Sequence, residues 1–252
     1  MIPLKDNIPT DRFPFVTVAL ILANVVVYLL AIRHGGSLIG GPDAYQSVKY
    51  GAIPDVLTHC LGENVVVRPP TVACTHASPP GALPAWATVF TSMFMHGSIL
   101  HIAGNMLFLW IFGNNVEESM GPVKYVLFYL LGGIAALALQ VAIHPNEVAP
   151  TLGASGAIAA VLGGYIVLYP RARVLTLIFI ILFFTVVELP AIAVLGFWFA
   201  EQIAFGAAGL TSPGAAGGVA YFAHIGGFAF GLTTIRLLAT RRRQIPSRYP
   251  VY

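Results

Sequence analysis

The stretch APTLGASGAIAAVLGGY, Ala149 to Tyr165, is apolar enough to be a membrane helix, yet it opens on Gly153-Ala154-Ser155-Gly156. Two explanations compete for that opening. Small residues let helices approach closely, and a lone hydroxyl between glycines is also a place for chemistry. The rest of the chain decides between them.

Of 252 residues, 57% are hydrophobic and 9% charged, whereas soluble domains carry roughly 25% charged residues. Too few Lys, Glu, Arg and Asp are present to cover a soluble fold of this size, so lipid is the solvent for most of the chain. A span needs about 20 apolar residues to cross about 30 Å of hydrocarbon. Apolar segments lie at about 15–32, 92–112, 123–143, 152–169, 174–206 and 219–238. The first exceeds a signal-peptide core and is followed directly by Arg33 and His34, so it reads as a retained span. The fold class is all-α, a polytopic six-helix membrane bundle.

The net charge of +3 does not mark a nucleic-acid partner. With six spans and a cytoplasmic N-terminus, Lys5, Arg12, Lys124, Arg171, Arg173, Arg236, Arg241, Arg242, Arg243 and Arg248 all fall inside. Only Arg33, Lys49 and Arg68 are left outside. That asymmetry sets orientation and puts both termini in the cytoplasm. Segment 174–206 is interrupted by Glu188-Leu189-Pro190, where proline breaks or kinks a helix. One crossing plus a partly interfacial stretch keeps the basic C-terminus inside.

The membrane domain takes in residues 1–240, including a long outer loop at 35–85, and 241–252 form a basic cytoplasmic tail. Cys60 and Cys74 both lie in that loop. On an oxidising face they form a disulfide closing about 15 residues; two free thiols are the alternative. His59 and His76 beside them fit no common zinc pattern, so neither a metal nor a cofactor is expected.

Ionisable side chains within a membrane suggest function. FMHGSILHIAGNMLF carries His96, His101 and Asn105 on the second span, Ser155 heads the fourth, and GGVAYFAHIGGFAFG places His224 on the sixth. His101 and Asn105 are four apart and share a helical face. Spans two, four and six run in the same direction, and each group lies within about two turns of its outer end. Ser155, Ala159 and Gly163 form a small-residue ridge on one helix, and Gly227 and Gly231 lie on the His224 side of the other. Such faces bring the imidazole to the hydroxyl.

A serine hydroxyl needs a neighbouring base to become nucleophilic, and neutral imidazole supplies one. With no Asp or Glu at this depth on spans two, four or six, Ser155 and His224 are expected to act as a dyad. His101, Asn105 and the Ser155 backbone N–H are candidate oxyanion donors. Taken singly, each residue has a packing explanation: serine bonded to its own helix, a satisfied histidine, asparagine as helix glue. Their common depth favours chemistry.

These residues resemble the rhomboid family of intramembrane serine proteases over about residues 15–238. Three motifs carry the resemblance: His96-xxxx-His101-xxx-Asn105, Gly153-Ala154-Ser155-Gly156, and Ala223-His224-xx-Gly227-xxx-Gly231. The family implies Ser155 as nucleophile, His224 as general base and acid, and His101 and Asn105 as oxyanion-hole side chains. His96, Gly153, Gly156, Gly227 and Gly231 would shape the site, and Glu117 matches a glutamate that ties helices together. The implied substrates are transmembrane segments of membrane proteins, cleaved near the outer leaflet. Two features depart from some members. Trp86 is followed by Ala87, not arginine, and the position four residues after Ser155 is Ala159, not tyrosine.

A catalytically silent rhomboid-like protein that binds membrane clients is the alternative, and Ser155 with His224 speaks against it. A transporter would show paired broken helices, and only one interrupted segment is present. The expected location is a prokaryotic cytoplasmic membrane.

Overall fold

Gly121, at φ +83°, turns α5 (Ile99–Met120) back into α6 (Pro122–Ile143), and the two antiparallel helices frame the protein. The computed structural model describes residues 1–68, 71–77, 81–180, 183–211 and 218–240. The basic tail expected at 241–252 lies outside the described residues.

Helix α1 (Phe15–Ile32) opens with unbonded backbone donors, because its N-cap, Pro14, offers no side-chain acceptor. Glu117 on α5 takes that role. One carboxylate oxygen accepts from the Val16 N–H at 3.0 Å, the other from the Thr17 N–H and hydroxyl at 2.8 and 2.7 Å. A carboxylate at a helix N-terminus satisfies orphan donors and the macrodipole together. This buried contact sets α1 antiparallel to α5.

Helix α7 (Ser155–Leu168) is surrounded by its neighbours, with Gly156 through Tyr165 all buried. It abuts α5, α6 and α9 (Tyr221–Leu238), and α8 (Ala191–Thr211) packs on α9. Among the described residues four helices, α1, α5, α6 and α8, are long and apolar enough to cross a membrane. The α7 helix has only 14 residues, about 21 Å at 1.5 Å per residue.

Strands qualify the all-α expectation. The described residues of the 174–190 segment form no helix: β5 (Arg173–Ile180) and β6 (Phe183–Pro190) pair antiparallel. The N-terminal strand β1 (Ile2–Asp6) pairs with β5 to give the order β1-β5-β6. Hydropathy cannot separate a short apolar strand from a helix, and the β-branched and aromatic residues here suit a strand. Pro190 ends β6, and α8 starts at the next residue. Helix α5 begins at Ile99, seven residues later than the apolar segment suggests, because Ser98 caps it through the His101 N–H.

The described residues of the long loop expected at 35–85 are also folded. Helices α2 (Ala44–Tyr50) and α3 (Pro54–His59), strands β2 (Asn64–Arg68), β3 (Thr71–Thr75) and β4 (Leu83–Pro84), and a short α4 (Thr88–Thr91) follow one another. Ile53, Val56, Val65 and Ala85 form their small core. Cys60 and Cys74 are disulfide-bonded, with Cα atoms 6.0 Å apart, tying the end of α3 to β3.

At the end of the bundle where α5 and α7 finish, Asp6 is buried beneath them. Its Oδ2 accepts from Tyr165 Oη at 2.5 Å and Asn115 Nδ2 at 2.8 Å. Burial pushes the carboxyl from 3.8 up to about 7, against the opposing pull of the Tyr165 hydrogen bond. The folded state therefore holds a proton that the unfolded chain releases. Asp6 favours folding fully below about pH 4, and that contribution is lost as pH rises towards 7. At about 1.4 kcal/mol per unit, the loss is on the order of 4 kcal/mol. Asp6→Asn should raise the unfolding midpoint in detergent at pH 8 and leave it nearly unchanged at pH 4. An effect of equal size at both pH values would contradict this account.

Candidate active site

The chain before α7 is held on two sides. Thr151 pairs with Ala52, and the Gly153 N–H donates to the Ser92 carbonyl at 2.9 Å. Gly153 sits at φ +122°, and a Cβ there would stand 2.8 Å from the His101 ring and 3.6 Å from Asn105 Nδ2. Glycine is required twice over, for its dihedral and for the space. This turn places Ser155 at the start of α7, in a cavity of about 730 Å³ shared with His101, Asn105, Trp198 and His224.

His224 Nε2 lies 2.8 Å from Ser155 Oγ. It gets there because α9 and α7 touch through backbone. A Cβ added at Gly227 would run into the carbonyl oxygen of Gly156, and one at Gly231 into that of Ala160. Gly163 meets the Phe228 carbonyl in the same way. The meeting face of α7 therefore runs through Gly156 and Ala160, one position round from the expected Ser155 and Ala159, with Gly163 common to both.

The other imidazole nitrogen reaches a helix absent from the expected site. His224 Nδ1 is 2.7 Å from Gln202 Oε1 on α8, and Gln202 Nε2 donates to the Trp198 carbonyl at 3.1 Å. The Trp198 ring lies 5.7 Å from that of His224, with Tyr221 edge-on at 6.4 Å. Ala159 cannot supply an aromatic neighbour to the histidine, and Trp198 and Tyr221 do. Gln202 was legible as an amide beside Glu201 in an otherwise largely apolar stretch, but a search for Asp or Glu on spans two, four and six passes over it.

His101 Nδ1 accepts from the Gly97 N–H at 3.4 Å, which leaves Nε2 to carry the proton. That nitrogen and Asn105 Nδ2 both face Gly153. Asn105 Nδ2 is buried and has no hydrogen-bond partner among the described residues. A buried donor left unbonded is costly and calls for a reason. His96 does not join the cluster. It is fully buried, its Nδ1 is 3.3 Å from the Phe94 carbonyl, and its ring packs edge-on against His101 at 5.1 Å.

Comparison with known proteins bears on the same segment. The family model of the Rhomboid domain matches residues 84–241. Rhomboid protein 1, mitochondrial, of Saccharomyces cerevisiae is 32% identical over 152 residues, 58% of this chain and 40% of its own. Rhomboid-like protein 11, chloroplastic, of Arabidopsis thaliana is 39% identical over 75 residues, 30% of this chain and 26% of its own. The presenilin-associated rhomboid-like protein, mitochondrial, of Mus musculus is 34% identical over 94 residues, 36% and 25%. The matched segments thus span between a quarter and two fifths of these relatives' lengths. The relatives carry organellar names, which lends no support to the prokaryotic membrane expected from the sequence. The matched domain holds α5 to α9, and with them Ser155, His224, His101 and Asn105: the chain belongs to the rhomboid family.

Proposed function

We propose that the protein is an intramembrane serine endopeptidase that cleaves transmembrane segments of membrane proteins near the outer leaflet. The observation that carries this reading is the 2.8 Å contact between Ser155 Oγ and His224 Nε2 inside the cavity. Helices α1, α5, α6, α7, α8 and α9 are the six spans. Burial on every side lets α7 be short, because a helix enclosed by others has no lipid face to match. It starts below the outer surface, which leaves Ser155 recessed.

Ser155 gives its proton to His224 Nε2 and attacks the substrate carbonyl carbon. The oxyanion takes hydrogen bonds from the Ser155 N–H, His101 Nε2 and Asn105 Nδ2, which accounts for the unpartnered amide. The intermediate collapses, the leaving amine takes the proton from His224, and the acyl group stays on Ser155. Water, deprotonated by His224, then releases it.

The test is cleavage of single-span substrates by purified protein in liposomes, with the products weighed. One cut near the outer end of the substrate helix, absent with Ser155→Ala, is expected. No cut in any of several substrates would favour the client-binding reading.

A further inference from the structure

We propose that Gln202 is a positioning residue: its amide oxygen holds the His224 Nδ1–H and so selects the imidazole tautomer whose Nε2 faces Ser155. This rests on the protease reading above, and goes beyond it by assigning α8 a part in the reaction.

Trp198 lies one turn before Gln202 on α8. Gln202 Nε2 donates to the Trp198 carbonyl at 3.1 Å. That bond decides which end of the amide faces the histidine, since a carbonyl accepts only from the NH2 group. Oε1 is thereby left at 2.7 Å from His224 Nδ1. An amide oxygen only accepts, so Nδ1 must carry the proton. A neutral imidazole has one, so Nε2 presents its lone pair to the Ser155 hydroxyl, 2.8 Å away. With the proton on Nε2 instead, Nδ1 and Oε1 would face each other as two acceptors, and Ser155 would have no base.

Burial sharpens the point. Gln202 is 7% exposed, whereas Glu201 beside it on a largely apolar helix is only partly buried. A carboxylate in that place would fix the tautomer equally well, but an ion within the membrane is expensive. A neutral amide orients the ring without bringing a charge. Trp198 and Tyr221 flank the imidazole and hinder the flip that would exchange its nitrogens.

Full-length protein in liposomes, as Gln202→Leu and Gln202→Glu, provides the test. Glutamate keeps an acceptor toward His224, and when protonated it donates to the Trp198 carbonyl as the amide does. Leucine should lower kcat about 10- to 100-fold with KM little changed, while glutamate restores most of the rate. Nitrogen-15 spectra of histidine-labelled protein read the tautomer directly, with the His224 signals identified by their loss in His224→Ala. Wild type and Gln202→Glu should show a protonated Nδ1, and Gln202→Leu a mixture. A Gln202→Leu protein with the wild-type rate, or with the His224 tautomer unchanged, overturns the proposal. A Gln202→Glu protein as slow as Gln202→Leu overturns it too. The tautomer is read on resting protein, so a wild type that cleaves nothing would defeat the protease reading and leave this assignment to be judged by the spectra.

Discussion

Ser155→Ala and His224→Ala should each lower kcat on a transmembrane substrate by about 10⁴-fold or more, and the double variant should lose little beyond either alone. Non-additivity is the informative part. Ser155 Oγ and His224 Nε2 lie 2.8 Å apart, so in the proposed mechanism removing either partner disables the same step. Independent binding roles would instead multiply. Both changes delete only side-chain atoms at the cavity wall, and α7 and α9 should stay packed through Gly156, Ala160, Gly227 and Gly231. Steady-state rates of the two single variants and the double variant in one lipid mixture provide the check. Multiplying losses would remove the dyad from the account.

The second large effect lies in the helix contact that sets that distance. Gly231→Ala and Gly227→Ala should both destabilise the protein severely, because each new Cβ falls on a carbonyl oxygen of α7 that the helix backbone cannot withdraw. Overpacking a well-filled core typically costs about 1–3 kcal/mol, and backbone against backbone has no rotamer to yield. The expected response is separation of α9 from α7, with loss of the Ser155–His224 contact and of activity. Gly196 on α8 gives the control. Among the described residues nothing lies within 4 Å of a Cβ added there, so Gly196→Ala should be neutral or, by helix propensity, stabilising by up to about 1 kcal/mol. Unfolding midpoints in detergent and cleavage rates read both. If Gly231→Ala matched Gly196→Ala, the close approach would not be what places the histidine.

The meeting of Ser155 with His224 was legible because polar groups are rare in lipid and because the charges order the helices without reference to the site. The same reasoning found His101 and Asn105, four apart on α5. It set His96 apart from that face, and the structure puts it before the cap at Ser98, edge-on against His101. Gln202 escaped because its partner is 22 residues on in another helix, and only the packing of α8 on α9 brings the two together. The strand pair β5 and β6 escaped for a different reason. An apolar run carries no period that separates strand from helix, and the pairing of β5 with β1 at the far N-terminus is a long-range contact. Glu117 matched a helix-tying residue, yet its bonds to the first turn of α1 have no local signature, since the partners lie about 100 positions apart.

The central claim is that His224 makes Ser155 nucleophilic, and covalent labelling tests it without any choice of substrate. Purified protein in liposomes is treated with a fluorophosphonate, and the modified residue and its labelling rate are read by mass spectrometry. Stoichiometric labelling of Ser155 in the wild type, slowed about 100-fold or more in His224→Ala, is the predicted result. A Ser155 that stays unlabelled in folded wild-type protein, or that labels equally fast without His224, would contradict it.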